Sequence, residues 1–120
     1  VVAGTDYAFD FYVVFQSAAA TTGYKASVNC PAGTLDFFCT NQTVANSSTA
    51  GVATWLDRHS VTRDDMTLLT ATITAAVDLV VLIKGRYLCT ANGTFAVRFA
   101  NELAANTDLV VQKGSWGLFF

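Results

Sequence analysis

The sequence predicts an all-β fold, an antiparallel β-sandwich of jelly-roll-like form. Short runs rich in Phe, Tyr, Val and Thr alternate apolar and polar residues with period two, the spacing of strands half buried against a core. Clusters of Gly, Asn, Ser, Thr and Asp separate these runs at short intervals. The single Pro and the want of a convincing helical stripe complete the pattern. The chain has 120 residues, about one domain's worth, with no internal repeat, heptad pattern or linker, so residues 1–120 read as one unit.

Each element follows from its own residues. In residues 7–16, Phe9, Phe11, Val13 and Phe15 share one face, while Ala8, Asp10, Tyr12 and Gln16 fall mainly on the other. A second strand alternates Tyr24, Ala26, Val28 and Cys30 with Lys25, Ser27 and Asn29, and Pro31 ends it. Residues 35–39 form a short apolar run, a third strand. The Thr/Asn/Ser stretch 40–50 reads as an exposed loop, 52–56 as a strand, and the charged stretch 57–65 as another loop. Met66, Leu69, Ile73 and Val77 fit a helical stripe, but five Thr residues between 62 and 74 favour strand, which is the reading taken. Residues 79–83 are apolar on both faces, so this strand is covered on both sides, with Gly85 as a bulge after it. Asn92-Gly93 between the runs 87–90 and 94–100 predicts a two-residue hairpin with positive φ. Residues 109–113 and the aromatic run 116–120 are the last strands, joined by a Gly114-Ser115 turn.

Composition excludes several classes. Charged residues make up 13% of the chain, well below the roughly 25% of an average soluble domain. So few charges leave apolar surface to be covered by another chain. The seven basic residues are scattered and nine acidic ones outnumber them, which argues against nucleic acid. Lys84, Gly85 and Arg86 break the richest apolar run, so no membrane span is expected. The chain opens on Val1 without a signal-type segment and reads as a processed product or part of a longer protein. Of its three cysteines, Cys30 and Cys39 flank a short turn and are able to pair, leaving Cys89 free; the other reading is three buried thiols.

Three groups of residues together resemble a β-sandwich domain found, often C-terminally, in tailed-phage virion proteins. The first is Thr21-Thr22-Gly23 after the opening aromatic strand, followed by Val28-Asn29-Cys30-Pro31. The second is Gly85, then Gly93-Thr94-Phe95 and Val97-Arg98-Phe99-Ala100-Asn101-Glu102. The third is Val110-Val111-Gln112-Lys113-Gly114-Ser115-Trp116-Gly117. They cover about half the chain, at both ends, and leave out roughly residues 33–70. The resemblance implies a homotrimeric module on the virion surface, in a tail, fibre or capsid-decorating protein, in contact with other virion proteins and involved in host attachment. It implies no catalytic residues and no cofactor. Three Cys residues and a long Thr/Asn/Ser loop depart from the family's pattern.

No constellation argues for an enzyme. Asp57, His59 and Ser60 lie too close in sequence to form a triad, and no Gly-x-Ser-x-Gly elbow accompanies them. Cys30, Cys39, Cys89 and His59 lack the close Cys pairs of a zinc site. Asp64-Asp65 lacks EF-hand spacing. No two acids stand out as a glycosidase pair. The candidate oligomer interface comprises Leu79, Val80, Val81, Leu82, Ile83, Trp116, Leu118, Phe119 and Phe120, from the two segments apolar on both faces. The candidate ligand contacts, a host-surface glycan or receptor being the ligand, are Thr40, Asn41, Asn46, Arg58, His59 and Arg63, from the two loops. Three N-glycosylation patterns, at Asn41, Asn46 and Asn92, and the aromatic residues suited to stacking on sugars favour the alternative, a secreted carbohydrate-binding or adhesive domain. A glycosidase ranks last.

Overall fold

The computed structural model describes residues 1–17, 24–43, 54–65, 67–68, 76–101 and 109–120. They form β1 (Asp6–Ser17), β2 (Tyr24–Asn29), β3 (Gly33–Thr43), β4 (Thr54–Ser60), β5 (Thr67–Leu68), β6 (Leu79–Cys89), β7 (Ala96–Asn101), β8 (Leu109–Val111) and β9 (Trp116–Phe119). Every pairing is antiparallel. One sheet runs β4-β3-β6-β1, with β8 and β9 following one another along the free edge of β1; the second runs β5-β2-β7. The fold is thus the all-β sandwich the alternation predicts. Its pairs are nested, β1 with β8 and β9, β2 with β7, β3 with β6, as in a long antiparallel ribbon rolled around a core. Here β1 also bonds β6 over ten residue pairs, Asp6↔Leu88 to Phe15↔Leu79.

Period two decides which side chains fill the space between the sheets. Phe9, Val13 and Phe15 of β1, Leu35, Phe37 and Cys39 of β3, and Leu79, Val81, Ile83, Tyr87 and Cys89 of β6 point inward from the larger sheet. Tyr24, Ala26, Val28 and Cys30 meet them from the smaller one. The Phe15 and Tyr24 rings touch across the gap with centroids 4.3 Å apart. Each large apolar side chain buried here stabilises the fold by about 1.5–3 kcal/mol.

Three local expectations need correction. Asn92-Gly93 is no hairpin turn: β6 and β7 belong to different sheets, and the link between them crosses from one to the other. Positive φ in glycine occurs at Gly4 and Gly114 instead. Asn92 has another task, because its Oδ1 accepts a hydrogen bond from the Ala3 N–H at 2.7 Å. Gly93 passes directly over Pro31, whose Cγ would lie 2.5 Å from an added Cβ. Second, Gly85 is not a bulge. The register runs through it unbroken on both sides, opposite Phe9 and Phe37. A Cβ there would lie 2.6 Å from the Phe9 ring and 2.3 Å from the Asp36 carbonyl oxygen, so glycine is what lets the aromatic residues close over the strand. Third, most of 57–65 is not loop: β4 extends to Ser60, and the turn is confined to 61–65. Likewise β3 continues through Thr43, so only 44–50 of the predicted loop 40–50 remain, and they lie outside the described residues. Of the two cysteine readings, three buried thiols is the one found: Cys30, Cys39 and Cys89 are buried and form no disulfide. Cys39 lies six residues along β3 from the β2–β3 turn, about 20 Å at strand rise, too far for a bond to Cys30. Of the strand expected in 66–76, residues 67–68 are β5, and 66 and 69–75 lie outside the described residues.

Between β8 and β9 the edge of the larger sheet swells into a four-residue bulge, 112–115, held to β1 without extending the ladder. The Gln112 N–H donates to the Val14 carbonyl at 2.8 Å. The Ser115 hydroxyl accepts from the Val14 N–H at 3.0 Å.

Candidate functional site

Residues directly opposed in a ladder point to the same face, so the register draws the outer surface of the larger sheet. One row runs Thr40, Leu82, Tyr12 and Trp116 across β3, β6, β1 and β9. Beside it, toward β8, stand Val80 and Val14, then Gln16 and Val110. On the other side comes the row Phe38, Lys84, Asp10 and Leu118. Phe120 follows opposite Ala8, with which it exchanges two backbone hydrogen bonds of 2.7 and 3.0 Å. The Tyr12 and Trp116 rings stack at 5.9 Å, 7° from parallel. Trp116 is 49% exposed, Leu118 52%, Val110 54% and Phe120 68%. The result is a continuous apolar strip over β6, β1 and β9.

Charge collects toward the other end of the same face. Lys84 Nζ lies 2.8 Å from Asp10. Arg86 clasps Asp6 through two nitrogens, and this hydrogen bonding holds the Asp6 carboxyl below its ordinary range and the guanidinium above its own. His59 Nε2 lies 2.6 Å from Asp36. Thr34, Asp36, Arg86 and Leu88 border a shallow hollow there.

The structure divides the predicted interface. Val80 and Leu82 lie on the outer face, half-buried, beside Trp116, Leu118 and Phe120. Leu79, Val81 and Ile83 do not: all three are fully buried in the chain's own core and are withdrawn from the interface. The run is apolar on both faces because β6 is a central strand, with the smaller sheet on one side and the apolar strip on the other. Phe119 is also corrected. It points inward opposite Phe9, its ring centroid 4.7 Å from Tyr7 and 4.9 Å from Phe95, and it closes the rim of the core.

The predicted ligand contacts come together less well. Thr40 and Asn41 sit in β3, Arg58 and His59 in β4, and Arg63 in the turn 61–65; Asn46 lies outside the described residues. Arg63 Nη1 donates to the Cys30 carbonyl at 3.2 Å, which gives it a bracing role. Period two also dissolves the Asp57, His59, Ser60 grouping. His59 stands opposite Phe38 on the outer face and Ser60 opposite Phe37 on the inner one. The Ser60 hydroxyl donates to Asp65 at 2.6 Å, not to His59. Asp64 is taken up by Arg98 at 3.1 Å and by Asn29. Among the described residues no group of three or more His, Cys, Asp or Glu side chains converges as metal ligands would.

No family model, no curated protein and no solved structure matches this chain.

What this face is able to do follows from its side chains. Graded from apolar to charged, and among the described residues without a converging cluster of His, Cys, Asp or Glu, it suits contact with another surface. The sequence signal for its extent was the Phe37-Phe38 pair: adjacent aromatic residues in one strand must serve opposite faces, and Phe38 is 44% exposed on the outer one.

Proposed function

We propose that this chain is a structural module of a virion surface, part of a tail, fibre or capsid-decorating protein, that works by assembling with copies of itself. The observation that carries the assembly is the strip formed by Tyr12, Val80, Leu82, Trp116, Leu118 and Phe120. Contiguous apolar patches beyond a few hundred Å² are rare on soluble monomers and mark interaction surfaces. At about 25 cal/mol per Å², covering several half-exposed large side chains is worth several kcal/mol. The virion setting and the homotrimer come from the resemblance of the three sequence groups to phage virion domains. Contact with a host-surface glycan or receptor falls to the polar end of the face and the neighbouring edge, where Arg58 and His59 are exposed.

Sedimentation equilibrium with light scattering tests the reading. The wild type is expected to be a trimer at micromolar concentration, and Leu118→Asp and Leu82→Asp to shift it to monomer with the β circular dichroism intact. A wild-type monomer overturns the assembly reading, and a glycosylated monomer that binds sugars would transfer the chain to the secreted adhesive class. A dimer would retain the face and refute the trimer.

A further inference from the structure

The two sheets are joined most tightly at the β2–β3 corner, where Cys30, Pro31 and Ala32 are the whole link. Cys30 continues the inward series of Tyr24, Ala26 and Val28 from the smaller sheet and is 5% exposed. Cys89 ends β6 in the larger sheet, opposite Gly33, and points inward with no exposure. The corner is tied to the end of β6. The Thr90 N–H donates to the Ala32 carbonyl at 2.9 Å. The Tyr87 hydroxyl lies 3.0 Å from the Pro31 and the Ala32 carbonyl oxygens. The Cys89 thiol donates to the Ala91 carbonyl at 3.1 Å, and both thiols border the Tyr87 hydroxyl. Cys39, by contrast, sits beside Tyr24, far along β3.

We propose that Cys30 and Cys89 form a redox-controlled staple between the two sheets, two thiols under reducing conditions and one disulfide under oxidising ones. The oxidant is a low-molecular-weight disulfide such as oxidised glutathione. The thiolate of Cys30, the less enclosed of the two, attacks one glutathione sulfur and expels the other as a thiolate, leaving a mixed disulfide. The Cys89 thiolate then attacks the Cys30 sulfur and expels the second glutathione. Two protein thiols are oxidised, one glutathione disulfide is reduced, and the two protons lost by the cysteines end on the two glutathione thiols. Burial raises the Cys30 thiol above its ordinary range, so little thiolate exists at neutral pH and closure accelerates as pH rises. The bond would close a chain segment of nearly half the molecule, and loops of that length lose most unfolded-state entropy when cross-linked. The inference rests on the corner's geometry and stands whether or not the chain assembles.

The test is a disulfide map. Reduced wild type is refolded in a glutathione redox buffer, quenched with acid and digested without reductant. The same map is made on natively purified protein held in that buffer at pH 8.5, so refolding is not a condition. Expected are a linked Cys30–Cys89 peptide pair two hydrogens lighter than its parts, a Cys39 peptide with no disulfide link, and a urea midpoint above that measured in reductant. Cys30→Ser and Cys89→Ser should each abolish the rise. A bridge through Cys39, a bridge between chains, or three free thiols in protein with native circular dichroism would overturn the proposal.

Discussion

At Gly85 a single missing methyl group decides whether three strands fit together. An added Cβ would lie 2.3 Å from the Asp36 carbonyl, 2.6 Å from the Phe9 ring and 2.7 Å from the Phe37 Cβ, all from neighbours pinned in long ladders. Gly85→Ala should therefore cost about 1–3 kcal/mol by overpacking, read as a lower urea midpoint. Gly114 is the contrasting case, with a φ of +91° and open space around it. Gly114→Ala should cost only about 1 kcal/mol, from backbone strain alone. Proton binding is another residue-scale property. Burial raises the hydroxyls of Tyr24 and Tyr87 and the thiol of Cys30 above their ordinary ranges. The folded chain thus keeps protons that the unfolded chain releases from about pH 8.5 for Cys and about pH 10 for Tyr. Above those values the unfolded state binds fewer protons, so stability is full below them and falls as pH rises. The thermal midpoint should hold up to about pH 8.5 and decline beyond it; a flat profile to pH 11 would contradict this.

The strands themselves were legible wherever alternation was strong, and illegible where partners lie far away in sequence. Residues 7–16 and 24–29 declared both their conformation and their buried face, because period two is a local property, while 35–39 declared only its conformation. Asn92-Gly93 misled for the complementary reason. Its turn chemistry is local, but β6 already has β3 and β1 as neighbours and has no edge left for β7, which pairs with β2 instead. Similarly Asp57, Arg58 and His59 looked like loop because strands rarely carry three such residues in a row. They are tolerated in β4, the outermost strand of its sheet among the described residues, where all three side chains are exposed. The candidate face was half legible: the apolar segments 79–83 and 116–120 were found, but which members face outward required the register. The segment before β1 gives an element-scale prediction. Gly4 N–H donates to Cys89 O at 2.8 Å, Cys89 N–H to Thr5 O at 2.9 Å, and Ala3 N–H to Asn92 Oδ1. Asn92→Ala removes the last of these and should cost about 1 kcal/mol. Amide exchange at Ala3 and Gly4 should quicken, while β2 amides keep their protection.

At the scale of the whole molecule, a core and an outer strip share the same strands, with β1 and β6 supplying both. An assembly formed through that strip is held by apolar contact, which salt does not screen. The expected trimer should therefore sediment unchanged between 0.1 and 1 M NaCl, the span over which ion-pair attachment would weaken as the screening length drops from about 10 to 3 Å. Dissociation on raising salt would instead point to the Lys84, Asp10, Arg86 and Asp6 end of the face as the contact. Trp116 reports the same event optically: it should move to a drier setting in the assembly, so that its emission shifts red in the Leu118→Asp variant.

The bulge at 112–115 has a meaning for this molecule at high local concentration. It leaves two short ladders on one side of the sheet, Leu109–Val111 and Trp116–Phe119, with Lys113 between them. An incoming foreign strand would find no straight row of free amides long enough to zip onto, and a charge at its midpoint. On the opposite side, the charged run in β4 is a similar deterrent. A chain that is 52% hydrophobic and rich in aromatic residues is otherwise a good substrate for cross-β growth. With both margins of the larger sheet guarded in this way and its outer face left apolar, self-association of the kind proposed above would run through side chains rather than through added strands.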